Sequence, residues 1–218
     1  FFVIGIIALN SAPQNWNHYF CLKINLLNGI FFEKVQFNKF SMKQIVAFGA
    51  SSSKKSINKD LASYAALAIE NANVLILDLN DFEMPIYSID YENDHGIPEK
   101  AFKFKEKIKT ADGIIISFAE HNSVYTAAFK NIFDWISRIE KVVWYNKPMF
   151  LLSTSDGNRG AKTVLQIAHN RMSFGNPHKI PTFSLPNFKM NFDKNKGITD
   201  NHLNDEFQKA LKVFISNL

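Results

Sequence analysis

Residues 113–135 read GIIISFAEHNSVYTAAFKNIFDW. The run Gly113–Phe118 is continuously apolar apart from Ser117, as a strand buried on both faces requires. Phe129, Ile132, Phe133 and Ile136 then recur at helical spacing, so they belong to one face of a helix turned to a core or a subunit interface. Between strand and helix lies a polar, asparagine-bearing loop. Open α/β sheets place their ligands at the carboxyl ends of such strands.

The same strand–loop–helix unit recurs on either side. Apolar runs predict strands over 43–48, 73–78, 112–118, 148–153 and roughly 180–184. Amphipathic stretches predict helices over 56–70, 98–110, 125–140, 160–173 and 200–216. Strands alternating with helices build a parallel sheet covered on both faces. The spacing fits a flavodoxin-like, three-layer doubly wound α/β fold, its five-stranded parallel sheet in the order 2-1-3-4-5. The ligand crevice of that order lies over the loops after strands 1, 3 and 4. These are also the places in the chain richest in Ser, Asn and Gly.

Composition narrows the classes further. At 218 residues, 46% hydrophobic and 21% charged, the chain has the make-up of a globular protein with room for one well-filled domain. The net charge of +5 fits attraction to small anions. No basic stripe accompanies it, so a nucleic-acid partner is not expected. Cys21 is the only cysteine, which excludes an internal disulfide or a thiolate cluster and suits a reducing, cytoplasmic compartment. No H-E-x-x-H or similar spacing marks a metal site, and no apolar segment is long enough for a membrane span. The first 41 residues carry no steady helical or strand period. Phe1–Leu9 is apolar but lacks the basic segment that precedes the core of a signal peptide. Regular patterning begins at Met42. The expectation is that residues 1–41 are a non-native or upstream-translated extension and that 42–218 form the working domain.

The loop after strand 1 reads Gly49-Ala50-Ser51-Ser52-Ser53-Lys54-Lys55-Ser56-Ile57-Asn58. Small residues let backbone N–H groups close on an anion, hydroxyls add donors, and the following helix adds its positive end. Neither G-x-x-x-x-G-K-[ST] nor G-x-G-x-x-G is present, so the loop is neither a nucleoside-triphosphate cradle nor a dinucleotide turn. A single phosphomonoester suits it better. Alone, the cluster reads equally well as a helix start with Ser56 as N-cap. The loop after strand 4, Ser153-Thr154-Ser155-Asp156-Gly157-Asn158-Arg159-Gly160, is by itself an ordinary β-to-α turn.

Taken in register, the three loops resemble those of the NAD(P)H-dependent FMN reductase family. Its first loop, G-S-x-R-x-x-S-x-N, matches Ser51, Ser56 and Asn58, with Ala50 in place of Gly and Ser53 in place of Arg. The second, P-E-Y-N-x-S-x-P followed by L-K-N-x-x-D-W, matches Glu120, Asn122, Lys130, Asn131, Asp134 and Trp135. There His121 stands for Tyr, Ser123-Val124 for a Gly-Ser pair, and Thr126 for Pro. The third, S-T-S-P-G-x-x-G-G, matches Ser153, Thr154, Ser155, Gly157 and Gly160.

The resemblance implies a flavoprotein whose FMN phosphate is held by Ser51, Ser53, Lys54, Ser56, Ile57 and Asn58. It places the ring along Ala119, Glu120, His121 and Asn122, with Ser153, Thr154, Ser155, Gly157 and Gly160 completing the site. It implies NAD(P)H as co-substrate and a small-molecule acceptor: a quinone, an azo or nitro compound, chromate or free flavin. It also implies a homodimer or homotetramer with aromatic anchors on the 125–140 helix. His121 reads as an aromatic surface beside the ring in preference to a proton donor, so no catalytic side chain is named. Trp135 and Trp144 read as packing residues, Arg159 as a solvated surface residue, and 186–197 as either a lid or a surface connection. The competing reading is a flavodoxin-type single-electron carrier. Such carriers are usually acidic, which this chain is not.

Overall fold

Alternating side chains on the strands set the layers of this protein. In the computed structural model, which describes residues 19–26, 29–36 and 42–218, the chain divides into two units, Phe1–Ser41 and Met42–Leu218. The larger unit contains strands β1 (Lys43–Ala50), β2 (Ala72–Leu77), β3 (Gly113–Phe118), β4 (Met149–Thr154) and β5 (Thr182–Leu185). They pair in parallel in the order 2-1-3-4-5. The helices are α1 (Ile57–Leu67), α2 (Ile89–His95), α3 (Glu99–Thr110), α4 (Ala127–Ile139), α5 (Lys162–Ser173) and α6 (Asn201–Ile215).

Val46, Phe48, Ile114, Ile116 and Leu151 turn to one face, where Phe104, Phe129, Trp135 and Val164 of α3, α4 and α5 meet them. Ile45, Ala47, Ile115, Phe150 and Leu152 turn to the other, against Leu61 and Ala65 of α1 and Phe207, Leu211 and Phe214 of α6. The period of two along each strand thus divides the interior into two cores. Both faces of β3 and β4 are buried throughout. Strand β2 departs from the expectation of full burial. It lies at the edge of the sheet, and every second residue faces outward, with Leu75 exposed.

The helical turn at α2 has no buried residue, so no apolar period marks it in the sequence. Its Tyr91 ring packs edge-on against Trp135, and polar contacts add the rest. The Ser88 hydroxyl caps its start by accepting from Tyr91 N–H at 3.1 Å, and Glu92 pairs with Arg138 of α4 at 2.9 Å. Helix α1 ends at Leu67, short of the expected 70, and the chain reverses through Asn71 at a left-handed φ of 55°. In the smaller unit, Tyr19–Leu26 and Gly29–Gln36 form an antiparallel hairpin, where no strand period had been read. The missed signal is the alternation of Phe20, Leu22, Ile24 and Leu26 with more polar neighbours. The apolar run Phe1–Leu9 lies outside the described residues. Among those residues no helix is long and apolar enough to cross a membrane.

One buried cation braces the α4–β4 connection. Lys105 of α3, 3% exposed, donates to the carbonyls of Val142 and Val143 at 3.2 and 2.5 Å. Its ammonium also lies 4.1 Å from the centre of the Tyr145 ring and 3.7 Å from Glu140. Burial pushes the Lys105 pKa down, while Glu140 partly opposes that shift. Between the lowered folded value and the unfolded value of about 10.4, the unfolded chain binds more protons, so this group's contribution to stability rises with pH. The stability of the native chain relative to Lys105→Met, measured by chemical denaturation across the alkaline range, is expected to rise as pH approaches 10. A pH-independent difference would contradict the assignment.

Candidate functional site

The carboxyl ends of β1, β3 and β4 bring the three loops together; hydrogen bonds join loop one to loops two and three, and loop two to the start of α5 just beyond loop three. Loop one begins at Gly49, where a Cβ would run into the main chain of Asn58 and Lys59, so β1 and the start of α1 approach as closely as only glycine allows. Ser56 is the N-cap, its hydroxyl accepting from Lys59 N–H at 3.2 Å. The N–H groups of Ile57 and Asn58, in the first turn, have no partner among the described residues. Ser52, Ser53, Lys54 and Lys55 are exposed around them and Ser51 is half-buried. Lys59 turns away to Asp78 at 2.6 Å, and this bond holds the Asp78 carboxyl below the usual range. Unpaired helix N–H groups, serine hydroxyls and two exposed lysines form a donor set suited to a phosphate dianion. The loop therefore fits the phosphate of a flavin mononucleotide.

Asn58 is 3% exposed, and its side chain serves the protein interior. Its Oδ1 accepts from Ser117 Oγ at 2.7 Å and from Thr154 N–H at 3.1 Å, while Nδ2 donates to Thr154 O at 3.1 Å. Loop one is thereby joined to loop three. Thr154 and Ser153 are also internal. Thr154 Oγ1 donates to Leu185 O at 2.7 Å and Ser153 Oγ to Gly160 O at 2.7 Å. Ser184 Oγ reaches the same carbonyl at 2.8 Å. Gly160 has a φ of 58°, and a Cβ there would strike Ser184 and the main chain at Pro186. Ser155 is half-buried, and Asp156, Gly157, Asn158 and Arg159 are exposed. The 186–191 segment is fastened alongside, Asn187 N–H donating to Gly157 O and Phe188 N–H to Ser155 O, both at 3.0 Å.

Loop two is more ordered than its polar sequence suggests. Glu120–His121 pairs with Val124–Tyr125 as a two-residue hairpin, its tip Asn122 and Ser123 at φ values of 51° and 67°. Asparagine tolerates that left-handed geometry, which suits the twist of a tight hairpin. His121 and Asn122 are exposed, and Ala119 is half-buried. Glu120 turns to the helix that follows loop three, where its carboxylate accepts from Val164 N–H at 3.0 Å in the first turn of α5. An anion at that end of a helix is favourably placed. Thr126 N-caps α4, accepting from Phe129 N–H at 3.2 Å, and donates to Ala50 O at 2.9 Å, which ties loop two to loop one. The Pro-to-Thr departure thus supplies an anchor. Burial pushes the Tyr125 phenol up to about 12.

Of the residues singled out in the sequence, Ser51, Ser53, Lys54, Ser56, Ile57 and Asn58 surround the α1 N-terminus. Ala119, His121 and Asn122 follow the end of β3, and Ser155 and Gly157 follow the end of β4. Glu120, Ser153, Thr154 and Gly160, with the Asn58 side chain, instead hold the loops in place. Asn131 and Trp135 hold the 84–87 segment. Asn131 bonds Tyr87 N–H and the carbonyls of Met84 and Pro85, and Trp135 Nε1 donates to Pro85 O at 2.7 Å. Sequence reasoning missed Ser117. Its signal was a lone hydroxyl within an otherwise apolar strand.

A doubly wound sheet with a phosphate-type cradle at its switch point defines a flavodoxin-like, mononucleotide-binding fold. The model of the NADPH-dependent FMN reductase family matches residues 43–189, and the chain belongs to that family. It is 37% identical over 120 residues to a 2-hydroxy-1,4-benzoquinone reductase of a Burkholderia species, an alignment spanning 54% of this chain and 62% of that protein. It is 28% identical over 174 residues to an NADPH:quinone oxidoreductase of Arabidopsis thaliana, spanning 77% and 88%. The solved structure of FerB, a flavoenzyme NAD(P)H:(acceptor) oxidoreductase of Paracoccus denitrificans, shares the fold. Its TM-score is 0.64 at 23% identity, over 80% of this chain and 96% of that one.

Gly160→Ala is expected to lower stability by about 1–3 kcal/mol, because it combines a left-handed backbone with a collision at the β5 end. Thermal unfolding of the full chain reads this directly, and an unchanged midpoint would contradict the packing described.

Proposed function

We propose that this protein is an FMN-dependent NAD(P)H oxidoreductase that reduces quinones. The observation that carries the reading is the N-terminus of α1. Its free Ile57 and Asn58 N–H groups stand among serine hydroxyls and exposed lysines, at the switch point beside loops two and three. When bound, FMN supplies the hydride-accepting and hydride-donating chemistry that no side chain here possesses.

The chain contributes binding, orientation and shielding. Ser51, Ser53 and Ser56 offer hydroxyls to the phosphate, Ile57 and Asn58 offer N–H groups, and Lys54 takes the place of the missing arginine as a point charge. The hairpin residues Ala119–Asn122 would hold the ring, with His121 as an aromatic surface beside it. Ser155 and Gly157 would complete the site, ahead of the frame formed by Ser153, Thr154 and Gly160. NAD(P)H and the acceptor would react in turn at the same place, a ping-pong scheme. Quinones are the favoured acceptors because the related Burkholderia and Arabidopsis proteins bear that activity in their names. Azo and nitro compounds, chromate and free flavin are the alternatives. The working unit is Met42–Leu218, without residues 1–41. It acts in the cytoplasm as a homodimer or homotetramer.

Anaerobic titration of the FMN-reconstituted full chain with NADPH is expected to bleach the visible flavin absorbance stoichiometrically, and a quinone should restore it. A bound flavin that NADPH leaves coloured would point to a single-electron carrier. Failure to bind flavin at all would refute the proposal. Ser56→Glu places a carboxylate at the helix start and is expected to weaken FMN at least tenfold through charge repulsion. Asn122→Ala, at the hairpin tip, should weaken it less. Fluorescence-quenching titrations measure both, and unchanged affinities would overturn the loop assignments.

A further inference from the structure

We propose that Asn58 is a positioning residue that fixes loop three to the anion-binding end of α1, so that the phosphate and ring portions of the site behave as one rigid unit. The inference rests on the FMN reading above, but its structural half can be tested without flavin. Asn58 sits in the first turn of α1, where its own N–H is free. Its side chain grips both main-chain polar groups of Thr154, the residue immediately before Ser155.

Both acceptor positions of Oδ1 are filled, by Ser117 Oγ and by Thr154 N–H, and one Nδ2 hydrogen is given to Thr154 O. A carboxamide so engaged, in a residue 3% exposed, is committed to the frame. At β1, Gly49 lets the strand press against the Asn58 and Lys59 main chain. The start of α1 is therefore seated across the neighbouring strands β1, β3 and β4. A shift of the helix end would drag Thr154, and with it the turn at Ser155–Gly160 that Ser153, Ser184 and Asn187 already fasten. Buried polar networks of this kind rigidify when every member is satisfied.

The test compares the full-length protein with Asn58→Ala and Ser117→Ala by two measurements. The first is amide hydrogen exchange of ligand-free protein in peptides covering 153–160. The second is affinity for FMN and for riboflavin, which lacks the phosphate, by quenching of flavin fluorescence. Faster exchange at 155–160 is expected in Asn58→Ala, with both flavins weakened by a similar factor of about tenfold, the scale of losing a buried hydrogen-bonded pair. Ser117→Ala removes one of the three bonds and should shift both flavins in the same direction by less; it carries the test should Asn58→Ala not fold. A loss confined to FMN, with riboflavin affinity and exchange unchanged, would make the Asn58 side chain a direct phosphate ligand and overturn the proposal. Unchanged exchange and unchanged affinities would overturn it equally. If the unmutated protein binds neither flavin, the functional reading fails while the exchange data still decide the coupling.

Discussion

The carboxamide of Asn58 is the constraint on which the arrangement of this site depends. Three parallel strands end side by side, and each would otherwise release its loop independently. One buried amide, satisfied by Ser117 and by both polar groups of Thr154, joins the ends of β3 and β4 to the start of α1. Thr126 to Ala50, and Glu120 to the first turn of α5, complete the triangle. Leaving any of these buried groups unpaired would cost more than the bonds contribute when made. The polar layer therefore selects one geometry.

That layer works because apolar material surrounds it. Ile114, Ile115 and Ile116 on β3 and Phe150, Leu151 and Leu152 on β4 are fully buried, on alternate faces of the sheet. Immediately above them Ser117, Ser153 and Thr154 continue the same strands with hydroxyls. On β4 the change from hydrocarbon to hydroxyl marks the height at which the core gives way to the loops, while on β3 Phe118 carries the core one residue past Ser117. Hydrogen bonds made at that boundary are shielded from water, and so they define orientation more firmly than exposed ones.

The fold was largely legible in the sequence because its signals are local. Apolar runs at 43–48, 112–118 and 148–153 read as buried strands, and Phe129, Ile132, Phe133 and Ile136 gave α4 its inner face. Helix α2 escaped because it buries no residue, and its only apolar support among the described residues is the single ring of Tyr91 against Trp135. Edge exposure of β2 escaped because strand order, not composition, decides which strand is outermost. The site was legible as a set of loops and less so as a set of roles. Nothing in the string Ser56-Ile57-Asn58 announces that the asparagine faces a threonine 96 positions away. Nor does a threonine replacing a proline at 126 announce that it both caps α4 and grips Ala50. Such partnerships are created by the sheet's topology, which brings distant residues to one level.

The Asn122–Ser123 tip carries no part of this bracing. Its geometry is local, set by two left-handed residues and one pair of short strands. The framework and the rim of the crevice are therefore encoded by different residues. Mutation can retune the chemistry presented at His121, Asn122 or Arg159 without renegotiating the architecture beneath. A lineage carrying such a site can explore new acceptors by small steps, each leaving a foldable protein.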